Sequence, residues 1–427
     1  MKTVLVCGAG VDKSEGIDMP LAAELVPKIR AFLKSTDDGQ KIEATLRQII
    51  PNLRFSYDKF VKEAVEKLSN EFRGQVADIV DRIGQELKDE HLDDKDAKLG
   101  RLIIALLIKI QKLQDDVKLD NETEALINEV FEGTISVEDD NIIQLPKLTF
   151  TDVFNNVMRA IFERSLEEPN HRILKHVRGN LMDFERLLMD SFIGFYTNNE
   201  SQMKTYMYLS WTLWAYLKHC EQGVAHDNMP FYSSVPNEWD LVTLNYTSFA
   251  RRIKGDKAHY FHGGLDSFIR MRDRQLVTVD GYANLDIPKF FSETVQANTT
   301  FGKNKRPNCV VPSIVPPLKM KPVLSNAFIE VWYRSKQAFQ DAKRIVVVGY
   351  SFNYADEHFN DLIRCNKDKQ IIVVDPFAES VLGNLQNIFS HGKDDYVVNK
   401  FQEKHSWSKD NLKIVKASAT QIELDSI

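Results

Sequence analysis

VLVCGAGVDKSEGIDMP, residues 4–20, decides how the rest of the chain is read. Residues 3–8 (TVLVCG) are β-branched and apolar, the composition of a strand buried on both faces of a parallel sheet. The strand runs straight into a turn in which Gly8, Gly10 and Gly16 let other groups come close to the backbone. Two readings of that turn stand. It reverses a strand tightly into a helix, or it holds a pyrophosphate on backbone N–H groups and the start of the following helix. The spelling is GxG but not GxGxxG, since position 13 is lysine, and no GK[ST] follows. The turn alone therefore names no particular nucleotide.

Two later stretches share its character: DLVTLNYT (240–247) and AHYFHGGL (258–265). Each ends a short apolar run in polar groups, Asn245 and His262, which lie 262 − 245 = 17 residues apart. Asn245 is a helix cap on one reading. On the other, its amide orients a ribose hydroxyl or a water with a donor and an acceptor together. Histidine is the side chain best suited to proton transfer near neutral pH, and the glycines after His262 leave room for a ligand. His259 alternates to the opposite face of its strand, so the two histidines are not read as a metal pair.

Further strand-like runs follow at Arg344–Val348 (RIVVV) and Gln370–Val374 (QIIVV), ending in Gly349-Tyr350-Ser351 and Asp375-Pro376. Helical patterns lie between, at Asn326–Asp341 and Asp356–Cys365, with Asp356 expected as the cap of the second. Asp375 is a ribose-binding carboxylate at a strand end or a turn residue before proline. Val311–Pro317 is an extended segment that lines a cleft or connects elements. Strands alternating with helices predict an α/β fold with a Rossmann-like, mostly parallel sheet, whose ligands sit at the carboxyl ends of the strands.

From about 40 to 220 the pattern changes to long amphipathic segments with apolar residues every three or four positions. Among them are VKEAVEKLSNEF, QVADIVDRIGQEL, GRLIIALLIKIQKLQ and NETEALINEVFE. LKDEHLDDKDAK reads as a solvated linker or face, DFERLLMDSF as a packed helix, and YLSWTLWAYLKH as core or subunit interface. The predicted domains are a Rossmann-like domain of residues 1–40 and 235–427 and a helical insertion or subdomain of residues 41–234.

The chain has 427 residues, enough for two domains or one with a large insertion, and 43% hydrophobic with 27% charged residues is ordinary for a globular protein. A net charge of −6 argues against gripping nucleic acid through its phosphates, so nucleic acid enters only indirectly. No apolar run approaches the ~18 residues of a membrane span, and no signal peptide is read at the N-terminus. Cys7, Cys220, Cys309 and Cys365 form no CxxC pair, which suits a reducing cytoplasm and a chain without zinc.

GAGVDKSEGIDMP, LNYT, HGG, GYS and VDP stand here in the order of the sirtuin motifs GAG(I/V)S…GIP, QN(I/V)D, HG, GTS and a late strand ending in asparagine. The chain resembles the SIR2-like (sirtuin) superfamily over roughly 1–30 and 238–427, in particular its bacterial antiphage proteins. It departs from the deacylases in lacking their four-cysteine zinc ribbon, in carrying Asp12 for serine, and in reading GIDMPLA where they have GIPDFR. The resemblance thus implies hydrolysis of NAD+ in abortive infection rather than deacylation, with NAD+ as substrate. It implies that Gly8, Ala9, Gly10 and Val11 cradle the dinucleotide and that Asn245 holds the nicotinamide ribose and the attacking water. It makes His262 the general base, and places Gly349 and Ser351 on the phosphate or adenosine half and Asp375 on the adenosine ribose. It further implies homo-oligomers or a separately encoded ATPase or Argonaute-like sensor. An NAD-dependent deacylase and a non-catalytic NAD or ADP-ribose sensor or scaffold are the alternatives.

Overall fold

The computed structural model describes residues 2–57, 59–60, 73–89, 92–112, 121–131, 136–137, 141–142, 150–168, 171–181, 184–225, 228–301, 308–315, 325–353 and 356–427. The segment VKEAVEKLSNEF (61–72) lies outside them, as do Asp183, Pro316 and Pro317. By compactness the chain forms two units. One comprises Met1–Leu21, Phe32–Leu53 and Glu185–Ile427, the other Ala22–Ala31 and Arg54–Phe184.

The first unit is built on an eight-stranded sheet. Its strands are β1 (Thr3–Cys7), β2 (Asp240–Thr243), β3 (Ala258–Tyr260), β7 (Arg344–Val348), β8 (Gln370–Asp375), β9 (Val397–Phe401), β10 (Lys404–Lys409) and β11 (Leu412–Lys416). A separate antiparallel sheet holds β4 (Gly263–Arg270), β5 (Gln275–Thr278) and β6 (Val310–Ile314). The large sheet runs β9-β10-β11-β8-β7-β1-β2-β3. All neighbours from β3 to β11 pair in parallel, while β10 and β9 extend the sheet antiparallel beyond β11. Numbered by appearance in the chain, the parallel strands have the spatial order 3-2-1-4-5-6, the doubly wound Rossmann arrangement. The α/β, mostly parallel fold expected from the sequence is the one observed.

The apolar runs form these strands because both of their faces are covered. Every residue of β1 is buried, and Val4, Val6, Ile345, Val347, Ile371 and Val373 share one core. That core is closed by crossover helices. Asn326–Asp341 leads into β7, capped by the Ser325 hydroxyl accepting from Ala327 N–H, and buries Phe328, Ala338 and Phe339. Glu357–Arg364 joins β7 to β8 through Phe359 and Ile363. Ala378–Phe389 follows β8 and contributes Val381 and Leu385.

Helix Glu200–Gln222 also belongs to this unit. Its tryptophans are core residues: Trp211 Nε1 donates to Val310 O at 2.9 Å and Trp214 Nε1 to Leu265 O at 2.7 Å. Both rings are fully buried against Phe290 and Phe291, so each indole loses its water and replaces it with a strand carbonyl. These bonds tie β4 and β6 to residues that helical periodicity alone grouped with the insertion.

The second unit is helical, with Arg73–Glu86, Asp94–Lys112, Asn121–Val130, Phe150–Glu167 and Leu174–Leu181. Val76, Ile79 and Ile83, and Leu99, Leu102 and Leu106, recur at three- and four-residue spacings and are buried. Arg172, Lys175 and His176 converge on Glu86. Burial raises that carboxyl, but the three donors outweigh it and hold it at about 2. No helix of the described residues is long and apolar enough to cross a membrane.

Candidate functional site

Two turns interlock where the strand order reverses, at the carboxyl ends of β1 and β7. Gly8 N–H donates to Val348 O at 2.9 Å and Gly10 N–H to Gly349 O at 2.9 Å. Gly349 takes φ +64°, and a Cβ there would lie 2.6 Å from Val11 N. A Cβ on Gly10 would lie 2.7 Å from Gly349 Cα, and one on Gly8 would lie 2.7 Å from Tyr350 Cα. The glycines therefore serve first to let two backbones touch. Val11 N–H is bonded to Gly8 O at 3.0 Å and its side chain is buried, which leaves Ala9 as the exposed residue of the turn. The helix that follows, Ala9–Asp12, is only four residues long.

Asn245 stands beside this turn because β2 pairs with β1 in register, Thr243 opposite Cys7. Its helix-cap reading does not hold, since the N-cap of the next helix, Phe249–Lys254, is Ser248. Instead Nδ2 donates to Gly8 O at 3.0 Å. A carbonyl can only accept, so the Gly8 bond holds Nδ2 in place and Oδ1 is the acceptor that Asn245 can offer a ligand. Asp12 is fully buried and accepts from Tyr232 OH at 2.6 Å and Thr247 Oγ1 at 2.5 Å. Burial raises its carboxyl to about 6, against the pull of the hydrogen bonds from Thr247 and Tyr232.

His262 follows β3 and is only 3% exposed. Its Nδ1 lies 3.3 Å from Leu244 O and its Nε2 lies 3.3 Å from the Asp356 carboxylate. Asp356 occupies the N-cap position of helix Glu357–Arg364, yet its side chain makes no cap bond. This corrects its expected role: the carboxylate is buried and turned to the imidazole. The segment after β6 also reaches the site, with Val315 N–H donating to His262 O at 2.8 Å and Tyr246 OH to Val315 O at 3.2 Å. Of the two readings of Val311–Pro317, its described part is a buried strand that ends against the histidine.

The remaining candidates lie at the next strand ends. Ser351 is exposed, and its carbonyl accepts from Asn384 Nδ2 at 2.7 Å. Asp375 ends β8 and uses Oδ1 to accept from Phe377 N–H at 2.8 Å, the turn role considered for it. Burial raises its carboxyl. Hydrogen bonds and packed backbone thus bring together Gly8, Gly10, Val11, Asn245 and Gly349. His262 joins them through Leu244, while Ser351 and Asp375 sit on the adjoining loops.

Sequence reasoning missed Asp12 and Asp356 as site residues, and Tyr232 and Thr247 as their surroundings. Asp12 was noticed only as a departure from a motif. Its position one turn into a buried segment was the available signal, since an ionisable group there needs partners. A surface hollow of about 400 Å³ bounded by Pro230, Phe231, Ser234, Ile422 and Leu424 includes none of the site residues. Among the described residues no group of three or more histidine, cysteine or acidic side chains could hold a metal ion.

No family model and no curated protein sequence matches the chain. Among solved structures it is similar to a Sir2-homologue triple mutant in complex with 2′-O-acetyl ADP-ribose. The identity is 14% over 56% of this chain and 77% of that one, with a TM-score of 0.35. It is also similar to a Sir2-homologue single mutant in complex with ADP-ribose, at 16% identity over 42% of this chain and 66% of that one, with a TM-score of 0.30.

Proposed function

We propose that the chain hydrolyses NAD+ to nicotinamide and ADP-ribose. One observation carries the reading: an asparagine amide, a buried histidine–aspartate pair and two interlocked glycine turns meet at the point where the strand order reverses, the place where open α/β sheets bind dinucleotides. In the reaction the bond between C1′ and the nicotinamide nitrogen breaks, and its electron pair leaves with neutral nicotinamide. Water adds to C1′ and releases one proton, so that NAD+ and water give nicotinamide, ADP-ribose and H+. The transition state is oxocarbenium-like and needs positioning and charge stabilisation more than a strong nucleophile. Asn245 Oδ1 accepts from the water or the nicotinamide-ribose hydroxyl. His262 takes the proton: the neutral imidazole has one N–H, which donates to Leu244 O or to Asp356, and its other ring nitrogen is the base. Both contacts are long at 3.3 Å, so either exchanges readily for a substrate hydroxyl.

With Gly8, Gly10 and Val11 N–H already bonded within the protein, the first turn meets the dinucleotide through Ala9 and the bare edge of Gly10. Gly349 and Ser351 face the adenosine half, and the second oxygen of Asp375 accepts from its ribose. His262 is nearly sealed from water, so substrate entry requires the covering segments to part. In the cell such an enzyme depletes NAD+ during phage infection and is held in check by self-assembly or by a separately encoded ATPase or Argonaute-like sensor. The order of the sequence motifs supports this setting. The test is purified chain with NAD+, with and without candidate partners, following nicotinamide and ADP-ribose. His262→Ala is expected to lower turnover by about 10²–10⁴-fold and Asn245→Ala by about 10²-fold. Undiminished cleavage in both variants overturns the site, and transfer of an acyl group from a peptide in place of hydrolysis overturns the reaction.

A further inference from the structure

We propose that Asp375 makes the site selective for NAD+ over NADP+: its carboxylate accepts from the adenosine 2′-hydroxyl and repels a 2′-phosphate in the same place. Its effect on turnover rests on the hydrolase reading, while its effect on binding needs only a dinucleotide in the cleft. The strand ends set the distances. Gly10 N–H donates to Gly349 O and Gly349 N–H to Val374 O, both at 2.9 Å, so the ends of β1, β7 and β8 stand side by side. Asn245 follows β2, on the far side of β1. From β2 to β8 is three strand spacings, roughly 14 Å. A nicotinamide ribose at Asn245 therefore leads its pyrophosphate across the two glycine turns and brings the second ribose to β8. Phe377, 72% exposed and two residues beyond Asp375, offers an aromatic face to the adenine.

Asp375 is 7% exposed, and the bond from Phe377 N–H to Oδ1 at 2.8 Å is its one side-chain hydrogen bond among the described residues. That bond fixes the carboxylate and leaves Oδ2 as an acceptor for a ribose hydroxyl. Among the described residues no lysine, arginine or histidine pairs with it. Lys416, opposite it in register on β11, is held by Glu379 at 2.7 Å. A phosphate monoester carries about −1.5 to −2 charges at neutral pH and is best held by Arg or Lys. Here it would meet a buried anion and no such donor, and repulsion between like charges grows as water is excluded. The charge is this chain's departure from the motif it resembles, which ends the late strand in asparagine. An asparagine amide can donate to a phosphate, and a carboxylate cannot.

The experiment measures kcat/KM for NAD+ and NADP+ at pH 8 with the full chain and with Asp375→Asn, which keeps the shape and an acceptor for Phe377 N–H. Asp375→Ser, neutral and smaller, repeats the comparison as a second variant. Wild type is expected to prefer NAD+ by about 10²-fold, mainly through KM. Both variants are expected to bring the two substrates within about fivefold, through a higher KM for NAD+ and a lower one for NADP+. The second readout needs no turnover: calorimetric titration with ADP-ribose and with ADP-ribose 2′-phosphate. Wild type should bind the first about 10²-fold more tightly, and the variants should bind the two nearly alike. A wild type that takes both nucleotides equally, or neither, overturns the proposal, as do variants that keep the full preference. If the titrations show the expected preference but NAD+ is not cleaved, the hydrolase reading fails and the selectivity stands.

Discussion

At Asp12 burial and hydrogen bonding pull in opposite directions, and burial wins. The folded carboxyl sits at about 6, above its usual 3.8, so the folded state holds the proton more tightly than the unfolded chain. Asp12's contribution to stability is therefore complete below pH 3.8 and is lost as pH rises through about 6. Above that window the buried charge costs about 3 kcal/mol. Asp12→Asn removes the charge at similar size, so its stability over wild type should grow by up to about 3 kcal/mol between pH 4 and 7. Urea unfolding of both proteins across that range measures it, and a difference that stays flat with pH would refute the ionised, buried carboxylate. A buried charge that burdens the fold therefore lies beside the Gly8 turn and Thr247, a common trade between stability and activity. None of this was legible in GAGVDKSEG, because the partners of Asp12 come from far along the chain: Tyr232 is 220 residues away and Thr247 is 235. Asp356 was misjudged for the same reason. Its local context is that of a helix cap, while the imidazole it faces lies on another strand end.

Strands and helices were far more legible than side-chain partners. A strand covered on both faces advertises itself in composition, as VLVC, RIVVV and QIIVV do, and the amphipathic period marks the helices. Helix Asn326–Asp341 appears with the bounds its pattern gives. Periodicity does not say which core a helix enters, and for Glu200–Gln222 that was decided by two indole hydrogen bonds. The joints between elements supply a paired prediction. Gly349→Ala must place a Cβ 2.6 Å from Val11 N at φ +64°, and should destabilise by about 2–4 kcal/mol while pushing apart the turns after β1 and β7. Gly84, inside helix Arg73–Glu86, has nothing within 4 Å of a would-be Cβ. Gly84→Ala should stabilise by about 0.5–1 kcal/mol, since the glycine there costs only entropy. Denaturant midpoints distinguish the two, and an unchanged Gly349→Ala would show that the turns are not clasped as described.

At the scale of the molecule, two compact units with separate apolar cores predict more than one cooperative step on heating. Scanning calorimetry should give a calorimetric enthalpy larger than the van't Hoff value, and equality of the two would mean that the units melt as one. The strand order has a different consequence, in time rather than in free energy. β1 lies between β2 and β7, so Val4 finds Asp240 on one side and Ile345 on the other. During synthesis those partners follow it by 240 − 4 = 236 and 345 − 4 = 341 residues. At ~5–20 residues per second the β-branched run of β1 waits roughly ten seconds to a minute for each neighbour. Throughout that wait it is an unpaired apolar edge, the kind of segment that chaperones shield and that aggregates when they do not. A sheet whose central strand is made first and flanked on both sides only after residue 348 ties the yield of this protein to the cell's folding machinery.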